Sequence, residues 1–188
     1  MEVLLVRHGH AGRRDRWGGD DRLRPLSARG RREAAALVDL LAPYRIGRIL
    51  SSPLLRCVQT VEPLAAHLGV PVELSEALGP RADREAARLL RSFRSGPCSV
   101  LVCTHGETIE ALQRSLASPG DLAFGPSGPR EKGSVWVLGW RGRRLAEAAY
   151  LPPVRGRGGS MARETPDGRT PRGSERVPAE RKVWGRKV

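Results

Sequence analysis

The sequence predicts an α/β three-layer sandwich, a mostly parallel central sheet with helices on both faces. Three observations predict it. Short apolar segments alternate with amphipathic ones of helix length, the order that builds a parallel sheet through crossover helices. Ser99 to Cys103 reads as a continuous apolar strand, of the kind covered on both faces. The chain has 188 residues, 39% hydrophobic but only 4% aromatic, so it has room for one ordinary domain with an aliphatic core, plus a tail.

Residues 2–7 read as a short buried strand. A loop rich in Gly, Arg and Asp follows, from Gly9 to about Arg24. Pro25-Leu26-Ser27 introduces a helix with Ser27 as N-cap. Ala34, Leu37, Val38 and Leu41 make its apolar face, and Pro43 ends it. Ile46 to Leu50 is a second strand. A second helix begins near Pro53, a good first-turn residue. It carries Cys57, Val61, Leu64, Ala65 and Leu68 on one face and closes at Gly69. Val72 to Leu74 is a brief strand, and Ala86, Leu89, Leu90 and Phe93 mark a third helix. Ile109, Leu112 and Leu116 mark the helix after strand 99–103. A Gly/Pro loop spans 117–132. Val135 to Trp140 and Leu145 to Tyr150 are strands joined by Arg141-Gly142-Arg143, a hairpin signal.

After Pro153 the pattern stops. Residues 1–154 are expected to form the domain. Residues 155–188 are expected to be a disordered, basic, Arg/Gly/Pro-rich tail, with Val183 and Trp184 as its only docking residues. The net charge is +13, and the tail supplies ten Lys/Arg against four Asp/Glu. A basic balance suits nucleic acid or an anionic surface, but no aromatic residues interleave with the arginines as base-stacking platforms would. A solvated Arg-rich surface is the preferred reading, and nucleic acid is not an expected partner. No run of 18 apolar residues exists, so no membrane span is expected. The N-terminus has no basic region before its short apolar stretch, and a cytoplasmic location is expected. Three cysteines, Cys57, Cys98 and Cys103, with no CxxC pair, argue against a disulfide framework and against structural zinc.

Two strand ends carry the chemistry. Leu4-Leu5-Val6-Arg7-His8-Gly9-His10 and Leu101-Val102-Cys103-Thr104-His105-Gly106-Glu107 each deliver a His-Gly directly after a buried strand. In open α/β sheets ligands bind at the carboxyl ends of strands, near the switch point. A third strand end, Ser51-Ser52-Pro53-Leu54-Leu55-Arg56, adds an arginine in the first turn of a helix, beside its free N–H groups. Two arginines and two histidines there make an anion clamp, because guanidinium forks match phosphoryl oxygens. A neutral imidazole facing phosphate is a nucleophile. Gly9 and Gly106 leave the backbone open to close approach by the anion. As alternatives, a lone strand-end histidine is often structural, and His8-Gly9-His10 resembles half a metal site. The chain has only four histidines, and His67 lies near a helix end, so no metal site is expected. A cysteine phosphatase needs Arg six positions after the nucleophile; Pro63, Thr104 and Ile109 stand there instead. No GxxxxGK[ST] loop is present.

In order, Arg7-His8-Gly9, Ser52-Pro53-Leu54-Leu55-Arg56 with Gln59-Thr60, and His105-Gly106 resemble the histidine phosphatase superfamily, with its phosphoglycerate-mutase-like fold. Within it the chain is most similar to the compact SixA type and to the phosphatase domain fused to MutT-type Nudix hydrolases. Trp17-Gly18-Gly19-Asp20-Asp21, Arg24-Pro25-Leu26-Ser27-Ala28-Arg29-Gly30, Arg56-Cys57-Val58-Gln59-Thr60-Val61-Glu62-Pro63 and Lys132-Gly133-Ser134-Val135-Trp136-Val137-Leu138 carry that closer likeness. It covers residues 2–153, and no Nudix box is present. The resemblance implies that His8 becomes phosphohistidine, that Arg7, Arg56 and His105 hold the phosphoryl oxygens, and that no cofactor is required. It places a general acid after the third strand, where Glu76 fits best; Asp83 and Glu107 remain open. Only 48 residues separate Arg56 from His105, where mutase relatives carry lid insertions, so an open site is expected. Such a site suits a phosphorylated protein or a large ester more than mutase chemistry, which must exclude water. Protein phosphohistidine is the first substrate expected. A nucleotide or other small phosphate ester is the second. A non-catalytic phospho-ligand or nucleic-acid binding module is the alternative from another class.

Overall fold

The computed structural model describes residues 1–93, 96–117, 124–125, 127–141 and 144–154. In chain order the elements are β1 (Glu2–Arg7), α1 (Ala28–Leu41), β2 (Ile46–Ser51), α2 (Leu55–Leu68), β3 (Val72–Leu74), α3 (Asp83–Ser92), β4 (Ser99–Thr104), α4 (Gly106–Leu116), β5 (Val135–Arg141) and β6 (Arg144–Leu151). Every strand and helix expected from the sequence is present. Three 3-10 turns, at 14–16, 21–23 and 76–78, were not expected, because a single turn leaves no hydrophobic period. Gly142-Arg143 of the hairpin turn and the segment 155–188 lie outside the described residues.

The six strands form one sheet in the order β3-β2-β4-β1-β5-β6. β3, β2, β4 and β1 run parallel; β5 pairs antiparallel with β1, and β6 with β5. The alternation along β4 explains why its sequence is apolar throughout. Val100 and Val102 point into a core layer with Leu90 of α3 and Ile109, Leu112 and Leu116 of α4. Leu101 and Cys103 point into the other layer, with Leu37 and Leu41 of α1 and Val61 and Leu64 of α2. The helices thus cover both faces, two on each.

The chain leaves β1 through α1 toward β2, and leaves β4 through α4 toward β5. The two connections depart in opposite directions over opposite faces. The crevice between β1 and β4 is therefore the topological switch point, where such sheets bind ligands. Their register, Arg7 opposite Thr104, brings the two His-Gly sequences out side by side.

The start of α2 differs from the sequence reading. Pro53 is not in its first turn; Leu54 is the N-cap, in extended conformation. The Ser52 side chain accepts from Leu54 N at 3.4 Å, the chain bends through Pro53-Leu54, and the helix opens two residues later than Pro53 suggests. Arg56 remains in the first turn. No helix among the described residues is long and apolar enough to cross a membrane.

Leu101 is fully buried in the central strand pair. Leu101→Ala is expected to cost about 2–5 kcal/mol of stability, read from the urea midpoint at unchanged m-value.

Candidate active site

Local chemistry fixes each side chain at the carboxyl edge. His8 N donates to Thr104 O at 3.0 Å, which carries the ladder one residue beyond β1. Its ring Nδ1 lies 2.8 Å from Gly9 O. A carbonyl only accepts, so Nδ1 carries the proton and Nε2 keeps its lone pair. His8 is buried. Burial pushes its pKa well below the ordinary 6.5, against the raising bond to Gly9, and the nearby His105, Arg56 and Arg7 push it further down. The imidazole is therefore neutral at neutral pH.

His105 stands across the crevice, its ring centroid 5.3 Å from that of His8. It is the N-cap of α4, with no side-chain cap bond at that end. Its Nε2 lies 2.8 Å from Ser52 Oγ and 3.6 Å from Cys57 Sγ. Ser52 Oγ also accepts from Leu54 N at 3.4 Å, so one hydroxyl ties the His105 ring to the start of α2. Ser52 and Cys57 are fully buried. The sequence reading did not find these supports; their only signal is apolar or small residues at the end of β2 and the start of α2.

The two arginines complete the clamp. Arg7 Nη1 donates to Arg130 O. Arg56 donates from Nη1 to Asp21 O at 2.8 Å and from Nη2 to Asp21 Oδ2 at 3.2 Å. The Nε atoms of Arg7 and Arg56 are buried with no hydrogen-bond partner among the described residues. Burial lowers both arginine pKa values; Glu107 acts against this at Arg7, and Asp21 at Arg56. Buried unpaired N–H groups beside two histidines and the N-terminus of α4 make a cradle for a compact anion.

Two glycines have packing roles that the sequence did not show. A Cβ on Gly106 would lie 2.7 Å from Arg7 Cζ, so this glycine makes room for the guanidinium. On Gly30, in the first turn of α1, a Cβ would lie 2.1 Å from His10 O. That close approach lets Ser27 serve two purposes. Its Oγ accepts from Gly30 N at 3.2 Å as the cap of α1 and donates to His10 O at 3.0 Å. Thr60 of α2 ties the same loop down, accepting from Gly9 N at 3.0 Å and donating to Arg56 O at 2.6 Å.

Asp21 and Arg24 stood in segments that carry the family likeness, but the sequence reading gave them no role in the site. Arg24 is buried; its Nε donates to Asp21 Oδ1 at 2.7 Å and its Nη1 to Ala11 O at 2.6 Å. Gly133 N donates to Arg7 O at 3.1 Å and His8 O at 3.2 Å, which fixes the loop carrying the partly buried Lys132 against the end of β1. Glu76 lies in a 3-10 turn just after β3, exposed and paired with Arg22 at 3.1 Å. No bond joins it to His8 or His105 among the described residues. Asp83 opens α3 and is exposed. Glu107, in the first turn of α4, is the carboxylate whose charge acts on Arg7.

The comparisons agree with this geometry. The model of the histidine phosphatase superfamily (branch 1) matches residues 3–81. The phosphohistidine phosphatase SixA of Escherichia coli is 32% identical over 127 residues, which cover 64% of this chain and 76% of that one. The chain belongs to the histidine phosphatase superfamily. A putative SixA structure from Agrobacterium tumefaciens is 30% identical, with a TM-score of 0.65, covering 81% of this chain and 97% of that one. SixA complexed with tungstate has a TM-score of 0.65 at 25% identity, covering 79% and 96%. A relative from Mycolicibacterium smegmatis, named 8-oxo-(d)GTP phosphatase, is 40% identical over 157 residues, 80% of this chain. The chain spans about half of that relative, 48% of its length. As a member of this family the domain is SixA-like, with a phosphoglycerate-mutase-like fold.

Gly106→Ala is expected to displace Arg7 and lower kcat/KM toward an aryl phosphate by up to about 100-fold, with the fold retained by circular dichroism. A second prediction follows from the neutral, buried His8. Its folded pKa lies below its unfolded value, so the unfolded chain binds the proton first as pH falls through 6.5. Stability present above that pH is lost on acidification, and His8→Gln is expected to flatten the slope of melting temperature against pH below 6.5.

Proposed function

We propose that this phosphatase works by covalent catalysis at His8 and needs no bound metal ion. One observation carries the reading. A buried imidazole, its Nδ1 committed to Gly9 O, stands beside two guanidinium Nε–H groups with no partner. Nε2 of His8 attacks phosphorus, the bond to the leaving group breaks, and the leaving group departs with the electron pair. Arg7, Arg56 and His105 hold the equatorial oxygens, where charge builds up in the transition state. Gly9 and Gly106 form the backbone wall. Water then displaces the imidazole, giving phosphate and free His8.

The E. coli relative's name supports protein phosphohistidine as substrate, the first reading from the sequence. The mycobacterial relative's name supports a nucleotide, the second. The two share a property that suits this site. An imidazole, or the phosphate of a nucleoside monophosphate, leaves with far less protonation than an alkoxide. The site therefore does not depend on a strong general acid for either. For alkyl esters we assign the acid to Glu107, whose charge reaches Arg7, in preference to Glu76 in its bond to Arg22.

Labelled phosphoramidate and rapid quenching are expected to yield an acid-labile, base-stable adduct on the wild type and none on His8→Ala, with turnover unaffected by EDTA. Activity that requires added metal, or that survives His8→Ala, overturns the mechanism. Glu107→Gln is expected to lower kcat toward an alkyl phosphate by about 100-fold or more, while Glu76→Gln changes it less than about threefold. The reverse order would return the acid to Glu76.

A further inference from the structure

Beside the phosphoryl clamp lies a cleft of about 260 Å³, lined by Gly12, Arg13, Arg16, Trp17, Arg24 and Leu26 among others. It is smaller than the roughly 300–1,000 Å³ of pockets that enclose a drug-sized ligand, so it holds one ring system and not a whole nucleotide. We propose that this cleft is a nucleobase subsite, stacking a purine on Trp17 while the terminal phosphate of a nucleoside diphosphate lies at His8. The proposal rests on the covalent mechanism at His8 proposed above and deepens its nucleotide reading.

Three features carry it. The Trp17 indole is held in place: its Nε1 donates to Asp20 O at 2.9 Å, and the ring lies 3.3–3.5 Å from where a Cβ on Gly19 would be. A side chain at position 19 would crowd the indole, and 39% of Trp17 is exposed. An exposed, pre-positioned indole is a stacking surface for a base of any kind. The lining carries three arginines: Arg13 pairs with Asp15, Arg24 donates to Asp21 and to Ala11 O, and Arg16 brings a further guanidinium, whose donors match the N7 and O6 acceptors on the edge of guanine.

The second feature is reach. Ala11, which lines the cleft, follows His8 by three residues, so their Cα atoms are at most about 11 Å apart. A ribose and one phosphate fill that span. The third feature is what lies between. Arg24 lines the cleft, bonds the carbonyl of Ala11, and shares Asp21 with Arg56 of the clamp. Lys132, anchored through Gly133 to the carbonyls of Arg7 and His8, is partly buried there. Burial lowers its pKa, and the positive charges of Arg7 and Arg24 lower it further. Arg24 and Lys132 form a second cationic station between clamp and cleft, suited to an α-phosphate. In turnover Nε2 of His8 takes the terminal PO₃, the P–O bond to the nucleoside monophosphate breaks, and water releases orthophosphate from the imidazole.

The probes are GDP and inorganic pyrophosphate, which share a phosphate leaving group and differ in the nucleoside. Trp17→Ala is expected to lower the ratio of kcat/KM for GDP over pyrophosphate by about 5- to 150-fold. Trp17→Phe, which keeps a ring to stack on, is expected to restore most of it. GDP, but not pyrophosphate, is expected to quench the fluorescence difference between wild type and Trp17→Phe. The quenching should persist in a His8→Ala background, where no turnover occurs, so base binding is read independently of the covalent step. An unchanged ratio in Trp17→Ala overturns the subsite, as does protection of Trp17 by a phosphohistidine peptide and not by GDP. If His8→Ala still hydrolyses GDP while GDP still quenches Trp17, the mechanism fails and the subsite stands.

Discussion

Desolvation at the β1–β4 crevice governs the rest of the molecule. Two imidazoles and two guanidinium groups are brought together where water is scarce, and burial penalises charge there. The imidazole yields first, and His8 stays neutral with its lone pair available. The guanidinium groups cannot yield, so they remain charged, and their buried Nε–H groups lack partners. Each unmet buried donor costs about 1–3 kcal/mol, more when it is charged. A phosphoryl group relieves that cost, and relieves it most when its oxygens carry the greatest charge. In the proposed mechanism the same burial makes His8 the nucleophile and sets the preference for the transition state.

Such an arrangement needs a rigid frame. The aliphatic layers on both faces of the sheet supply it, since β4 contributes alternate residues to each. Around the crevice, single residues serve two elements at once. Ser27 caps α1 and holds the loop after His8. Thr60 belongs to α2 and accepts from Gly9. Ser52 receives the first amide before α2 and orients His105. Helix starts and site loops therefore cannot move separately, which keeps donors and nucleophile in fixed register.

What the sequence revealed was what local pattern encodes. Hydrophobic period gave the strands and helices, and residues directly after buried strands gave Arg7, His8, Arg56 and His105. Contacts between distant segments left no such trace. Asp21 meets Arg56 across 35 residues, Gly9 meets Thr60 across 51, and Ser52 meets His105 across 53. None of these pairs shares a period or a motif spacing. Glu76 illustrates the opposite limit. The family resemblance gave it a part in the chemistry, while its pairing with Arg22, from the loop opposite, left no trace in the sequence. The glycine at 106 was legible as a need for space, while the occupant of that space, the Arg7 guanidinium, was not.

Asp21 neutralises two buried cations at once, one in the clamp and one in the neighbouring cleft. Any ligand that draws Arg56 toward itself weakens one side of this shared pairing and leaves more of the carboxylate to Arg24. The two compartments then exchange electrostatic tension through a single side chain, and occupancy of one becomes audible in the other without any shift of the sheet beneath them.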